Sequence, residues 1–259
     1  MAETSLSNIA SSAMFRFLVG PNKSEFTIHS GLLAHHSAAL KALVHGGFQE
    51  AQDGCVTWED VEEGVFLSFW QYAYKVDYDN PGPLRQTVSK HVPTAHQEIS
   101  SRTDETIDLE VVFAEMHRRE QLTKCQLLWE DFTESFPSDI PKETRNNSDG
   151  AKRQSWMLVH HAKVYIFADR YGIDGLMDVS LQKLGRNLVD CSSSECSDIV
   201  DLTRYCLEEL VPERLKRMVV LYVACKVEML WKSDEFQELV ESNGEFAKIL
   251  IGSMLPRLD

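Results

Sequence analysis

The chain has 259 residues, of which 43% are hydrophobic and 25% are charged, and its formal net charge is −14. This length suffices for one large or two small domains with a sizeable core. The composition is that of an ordinary globular protein and excludes a fibrous repeat or a wholly disordered chain. Because an acidic surface repels phosphate backbones, and doublets such as Arg118-Arg119 and Lys152-Arg153 are too short for a basic patch, we expect no nucleic-acid partner.

Cysteine usage and hydropathy predict a protein of the cytosol or nucleus. The six cysteines are scattered, and Cys191 and Cys196 lack a second ligand pair at zinc spacing, so free thiols in a reducing compartment are expected. The N-terminal residues lack the basic start and apolar stretch of a signal peptide. The most apolar helical run, Met218–Trp231, contains Lys226 and Glu228, so no membrane span is predicted.

The first third of the chain alternates between strand and helix patterns. Alternating apolar residues and turn signals predict three short strands, Met14–Val19, Glu25–His29 and Cys55–Trp58. Ser30 and Ser37 are the predicted N-caps of two short helices, and the second helix should end in a left-handed conformation at Gly46-Gly47. Asp60 is the predicted N-cap of a third helix, whose apolar stripe comprises Val65, Phe66, Phe69, Trp70 and Ala73.

The middle of the chain, residues 79–153, is predicted to be an insert. Its polar, proline-bearing flanks cannot bury enough apolar surface to become ordered, so we expect them to be mobile. One helix, Thr106–Phe132, has the apolar residues to dock on the rest of the protein.

Helical periodicity resumes after Gln154 and continues towards the C-terminus. Two apolar stripes on either side of Gly172 predict a tight helical pair. Pro212 is predicted to occupy the N1 position of a long helix. Ser233 is the predicted N-cap of a shorter helix, which should end at Asn243-Gly244. The predicted fold class is therefore α+β followed by an α-helical tail.

No motif for catalysis is found in the sequence. Phosphate-loop, dinucleotide-binding, nucleophile-elbow and zinc-protease patterns are all missing. The pairs His35-His36 and His160-His161 are helical neighbours that point about 100° apart, which suits packing and capping better than chelation of one ion. Adjacent carboxylates such as Glu62-Glu63 and Glu208-Glu209 diverge in the same way and suit solvated faces. We therefore predict no cofactor, metal or catalytic residue, and keep a metal-dependent enzyme as a distant alternative.

Three segments of the chain match, in order, the pattern of one fold family. They are Phe26-Thr27-Ile28-His29 with Leu32, Leu33 and Ser37; Phe48-Gln49-Glu50 with Val56–Val61; and Ala168-Asp169-Arg170-Tyr171-Gly172-Ile173. With this set the chain resembles the BTB/POZ family, in the style of the stand-alone BTB proteins of filamentous fungi. The resemblance implies a small sheet flanked by a helical cluster, with His29 as a structural histidine. It divides the chain into a first BTB/POZ part at 12–78, the insert at 79–153, closing helices at 154–190 and a C-terminal helical extension at 191–259.

The chain departs from the family pattern in three places. Met14 stands where the family usually has an aspartate, and only a short polar segment precedes the first strand, so the N-terminal helix that helps many members to dimerise is shortened or missing. The insert replaces what is usually a short connection. We therefore expect a monomer or a weak, concentration-dependent homo-oligomer.

The resemblance implies a non-catalytic adaptor whose partners are proteins. In the family, the residues at the positions of Phe48, Gln49 and Glu50 contact the N-terminal helices of cullin-3. Tyr74 matches a family tyrosine near the same surface. The sequence predicts an exposed loop at this place, because it follows Gly46-Gly47, although Phe48 under the sheet and Tyr74 in the core are the alternatives. The C-terminal helices either widen the cullin-contacting groove or only cover the domain. The alternative function is a scaffold or transcription-associated oligomer without ligase contact.

Overall fold

A three-stranded sheet forms at the start of the chain in the computed structural model, which describes residues 6–79, 124–137, 156–191, 196–208 and 210–255. Strand β1 (Met14–Val19) pairs antiparallel with β2 (Ser24–His29) and parallel with β3 (Cys55–Trp58), in the order β2-β1-β3. Phe15, Phe17 and Val19 alternate with more exposed neighbours along β1, so one face of the sheet is turned towards the core. The three predicted strands are confirmed.

Short helices surround this sheet. Helix α1 (Leu6–Ala10) precedes β1, and α2 (Ser30–His36), α3 (Ala38–His45) and α4 (Gln49–Asp53) lie between β2 and β3. Helix α5 (Glu63–Lys75) follows β3 and buries four of the five residues of its predicted stripe, while Trp70 is half-buried. Ser37 caps α3 as predicted, because its hydroxyl accepts hydrogen bonds from the backbone N–H groups of Ala39 and Leu40.

Three predicted helix ends in this part are wrong in detail. The N-cap of α2 is His29 rather than Ser30, and the N-cap of α5 is Glu62 rather than Asp60. Gly46 ends α3 but has an extended conformation, with φ −72° and ψ 178°, instead of the predicted left-handed one. Glycine is needed there for space, because a Cβ would collide with the carbonyl oxygen of Ala42.

The insert contributes helix α6 (Lys124–Glu134) to the described structure. It coincides with the end of the predicted Thr106–Phe132 helix and buries Leu128 and Phe132. The rest of that predicted helix, and the flanks expected to be mobile, lie outside the described residues.

The predicted tight helical pair is confirmed as α7 (Trp156–Tyr171) and α8 (Asp174–Val189). Gly172 turns the chain between them with φ +63°, a left-handed conformation that glycine adopts without strain. The C-terminal part consists of α9 (Cys196–Glu208), α10 (Glu213–Leu230), α11 (Asp234–Ser242) and α12 (Gly244–Met254). Pro212 is the N-cap of α10, one position before the predicted N1, and Asn243 caps α12 by accepting from the backbone N–H of Phe246.

The described residues form two hydrophobic cores, and α7 lines both. The first core joins the sheet to α2, α3 and α5, and it includes Val164 and Phe167 of α7. The second core joins α6 to the C-terminal helices, and it includes Leu158 and Tyr165 of α7. The fold class is thus mixed α and β, with a small sheet and a helical C-terminal part. Among the described helices, none is both long enough and apolar enough to span a membrane.

Candidate partner-binding site

Phe48 lies on the surface at the start of α4. After α3, Gly46 and Gly47 lead to Phe48, which is the N-cap residue of α4 with φ −82° and ψ 161°. Its side chain is 67% exposed, so the alternative in which it packs under the sheet is wrong. The predicted exposed loop is corrected to the first turn of a short helix, while the predicted exposure is confirmed.

Gln49 and Glu50 follow as exposed residues in the first turn of α4, a helix that buries none of its side chains. The helix is nevertheless fixed at its C-terminal end. Gly54 ends it with φ +60°, and the Gly54 carbonyl accepts a 2.9 Å hydrogen bond from the backbone N–H of Arg16 in β1. The sheet therefore supports a short exposed segment that presents an aromatic ring and a carboxylate.

Tyr74 is 41% exposed near the end of α5, so it is not a core residue. Its hydroxyl lies 3.0 Å from Nδ1 of His29 and accepts a 3.3 Å hydrogen bond from the backbone N–H of the same residue. Burial raises the pKa of the Tyr74 phenol. These contacts give Tyr74 a structural role at the junction of β2 and α2, and they run to His29 rather than to Phe48 or Glu50. Its membership of the partner surface stays a prediction.

Three histidines make packing and hydrogen-bonding contacts of the kind expected from the sequence. Besides His29, Nε2 of His36 lies 3.0 Å from the carbonyl oxygen of Ala73, and Nε2 of His160 lies 2.9 Å from Oγ of Ser68. Burial lowers the pKa of His36 and lowers that of His160 to about 4. Within the described ranges, no group of three or more His, Cys, Asp or Glu side chains is arranged to hold a metal ion.

A largely buried polar cluster, which joins the turn after α5 to α7 and α8, was not predicted from the sequence. Nδ1 of His161 lies 2.8 Å from the Tyr78 hydroxyl, and Nζ of Lys183 lies 3.0 Å from Oδ1 of Asp77. His161 and Lys183 stand among apolar residues of two helices. A charged residue at a core-facing helical position was the one available signal, because such a residue needs a partner.

Comparison with known proteins gives no family for this chain. No protein-family model matches it, and no curated protein matches it either. What the chain does must therefore be inferred from its own residues and their geometry.

Proposed function

We propose that the chain is a non-catalytic protein-interaction adaptor of the BTB/POZ type, and that Phe48, Gln49 and Glu50 form the centre of its contact with the N-terminal helices of cullin-3 in a ubiquitin ligase. The observation that carries the proposal is the 67% exposure of Phe48 beside the exposed carboxylate of Glu50. An aromatic side chain next to a directed charge is the usual composition of a compact binding hot spot.

The convergence of the three family-like segments supports the proposed fold identity. Ser37 of the first segment donates a hydrogen bond from its hydroxyl to the carbonyl oxygen of Tyr171 in the third, across 134 positions of sequence. Trp58 of the second segment stacks on the Tyr171 ring with centroids 4.4 Å apart. Residues that carry the resemblance thus pack against one another, as expected if they belong to one domain.

The support of α4 by the sheet favours a binding role for its first turn. Because Gly54 is bonded to β1, the exposed turn needs little ordering when a partner binds, and a pre-organised site loses less free energy on association. The proposal makes no use of a cofactor, since binding alone is the function.

The test is binding of the purified full chain to the N-terminal helices of cullin-3. Phe48→Ala should weaken binding by about thirtyfold or more, which corresponds to the loss of roughly 2 kcal/mol typical of a hot-spot residue. Glu50→Arg should weaken it comparably through repulsion and an unpaired partner charge. The melting temperatures of both variants should barely differ from that of the wild type, because both side chains are exposed and such substitutions change stability by only about 0.5 kcal/mol.

Matched control variants lie in the C-terminal helices. Ile251→Ala truncates a side chain that is 58% exposed on α12, and Glu235→Arg reverses an exposed charge on α11. Both should bind as the wild type does if the C-terminal helices only cover the domain, and a loss in either variant would show that these helices contact cullin-3 as well. Wild-type binding that is unaffected by Phe48→Ala and Glu50→Arg, or no cullin-3 binding at all, would overturn the cullin contact and leave the scaffold function as the alternative.

A further inference from the structure

The turn that follows α5 is held against α7 and α8 by four side chains that we call the clasp: Asp77, Tyr78, His161 and Lys183. Tyr78 is 1% exposed, and its hydroxyl lies 2.8 Å from Nδ1 of His161. Asp77 forms a 3.0 Å ion pair with Lys183, whose Nζ also lies 5.1 Å from the centroid of the Tyr78 ring. The turn is therefore fixed at two consecutive residues.

Val76 makes this turn strained. It is the C-cap of α5 and has φ +59° and ψ 16°, a left-handed conformation that glycine adopts readily and a β-branched residue rarely does. Its side chain is 64% exposed, so packing of Val76 itself does not offset the strain. Such a conformation persists only where neighbouring contacts enforce it, and here those contacts are made by Asp77 and Tyr78.

Protonation of His161 is unfavourable in this arrangement. The residue is fully buried, and its Nε2 has no hydrogen-bond partner in the part of the chain that the structure describes. A protonated imidazole donates from both nitrogens, so the charged ring would bury an unsatisfied N–H group as well as a charge. Among the described residues, the charged groups that face it are Lys183 of α8 and its partner Asp77, and the adjacent His160 is a titratable neighbour.

His160 occupies a similar position on the other side of the same helix turn. It is 8% exposed, and its Nε2 lies 2.9 Å from Oγ of Ser68 in α5. The charged groups that face it are Glu62 and Lys163, which form an ion pair with each other, and Nζ of Lys163 lies 5.7 Å from the ring centroid of Tyr205 in α9. Both histidines therefore lie in the contact between α5, with its following turn, and α7.

Burial keeps the two rings neutral at neutral pH. Burial, with smaller contributions from His160 and Lys183, lowers the pKa of His161 well below the ordinary value of 6.5. Burial also lowers the pKa of His160 to about 4, where the attraction of Glu62 opposes the shift and Lys163 adds to it. Because the folded-state values are depressed, proton uptake favours any state in which the rings reach water.

We propose that the clasp is part of an acid-released joint, in which protons taken up by His160 and His161 hold α5 from Ser68 onwards, together with the turn that follows it, away from α7 while the C-terminal helices stay folded. Rings that reach water regain an ordinary pKa near 6.5, whereas burial lowers the pKa of His160 to about 4 and that of His161 well below 6.5. The equilibrium constant for opening therefore rises as the pH falls from about 7 towards 4. Between pH 7.5 and 5.0 each released histidine multiplies this constant by about 30, and both together by about 10³.

Hydrogen exchange of the full chain tests the proposal, with rates corrected for the intrinsic pH dependence of amide exchange. Peptides that cover 72–79 and 156–165 should lose protection by a factor of about 30 to 10³ between pH 7.5 and 5.0. Peptides from 215–223 of α10 should lose less than about threefold if the joint opens locally. Clasp protection that does not change with pH, or equal losses in α10, would overturn the proposal.

Two variants separate the histidine role from the strain. The double variant His160→Gln/His161→Gln replaces both rings with amides that do not titrate, so the pH dependence of clasp protection should fall to less than about threefold. Val76→Gly relieves the left-handed strain and should lower the opening constant by roughly threefold at both pH values, with the pH dependence unchanged. If the double variant does not fold, Val76→Gly still tests the proposal. A larger opening constant in this variant, or a loss of its pH dependence, would contradict the proposed acid-released joint.

Discussion

Phe132→Ala should cost a large share of the stability of this protein, because the insert helix α6 is part of the second core. Phe132 is fully buried, and its ring centroid lies 5.1 Å from that of Tyr222 in α10, 5.2 Å from Trp129 and 5.5 Å from Phe136. Truncation of a buried phenylalanine costs about 3–5 kcal/mol, and each aromatic pair adds about 0.5–1.5 kcal/mol beyond buried area. We expect a loss of at least roughly 4 kcal/mol, the middle of the range for a buried phenylalanine.

Urea unfolding at pH 7.5, followed by circular dichroism, measures this loss. Phe48→Ala is the matched control, since it removes the same atoms from a side chain that is 67% exposed, and it should change stability by only about 0.5 kcal/mol. Because two cores need not unfold in one transition, hydrogen exchange of residues 215–223 in α10 should be measured beside it. The facing helix should lose protection in Phe132→Ala and keep it in Phe48→Ala.

A loss below about 1 kcal/mol, together with unchanged protection of α10, would refute the docking of α6 described above. A loss of about 4 kcal/mol in both variants would instead contradict the exposure of Phe48 and with it the proposed partner site.

Three further predictions concern other parts of the chain. Gly185→Ala should destabilise the protein by about 1–3 kcal/mol, because a Cβ there would lie 2.7 Å from the Phe136 ring. Adding Phe136→Ala in the same chain should recover part of this loss, and urea unfolding of the single and double variants measures both effects. Cys206 should resist alkylation in the folded protein, since burial raises its thiol pKa to about 12, whereas the exposed Cys125 should react fast. Mass spectrometry of the labelled chain measures both rates, and a Cys206 that reacted as fast as Cys125 would contradict this prediction. Light scattering should find a monomer or a concentration-dependent dimer, since Met14 of β1, which is 48% exposed, carries no charge for an ion pair between subunits; a dimer that persists at nanomolar concentration would contradict it.

The strands and the α7–α8 pair were predictable because their signals are local. Alternation along Met14–Val19 and the glycine between the two helices depend on a few adjacent residues. Helix caps were predicted less well where tertiary pairing competes with capping. Asp60 had the side chain for a cap, but its Oδ2 lies 2.7 Å from Nη1 of Arg170, 110 positions away, and α5 begins after Glu62 instead. A cap worth about 1 kcal/mol competes with such a contact on nearly equal terms, because an exposed ion pair is itself worth about 0–1 kcal/mol.

Of the candidate site, the sequence predicted the position of Phe48 and the exposure of its surroundings but left the burial of its ring open. Phenylalanine is usually buried, so composition favours the core. The ring is nevertheless on the surface, two residues after Gly46, whose extended conformation leaves no space for a Cβ beside the Ala42 carbonyl. That outcome depends on backbone geometry, which no spacing of residues encodes.

The clasp could not have been predicted, and the reason lies in α7. The sequence pattern Val164, Phe167, Ala168 and Tyr171 predicted one apolar face, yet Leu158, Ala162 and Tyr165 are buried as well, in the second core. A helix covered on two sides has little surface left for its polar residues, so His160 and His161 must find partners inside the protein. Their partners, Ser68 and Tyr78, lie 92 and 83 positions away across the insert. The helix turn that carries His160 and His161 also lines the second core, so their protonation acts where the two cores meet. A binding partner that stabilises either core would therefore oppose the release of the clasp.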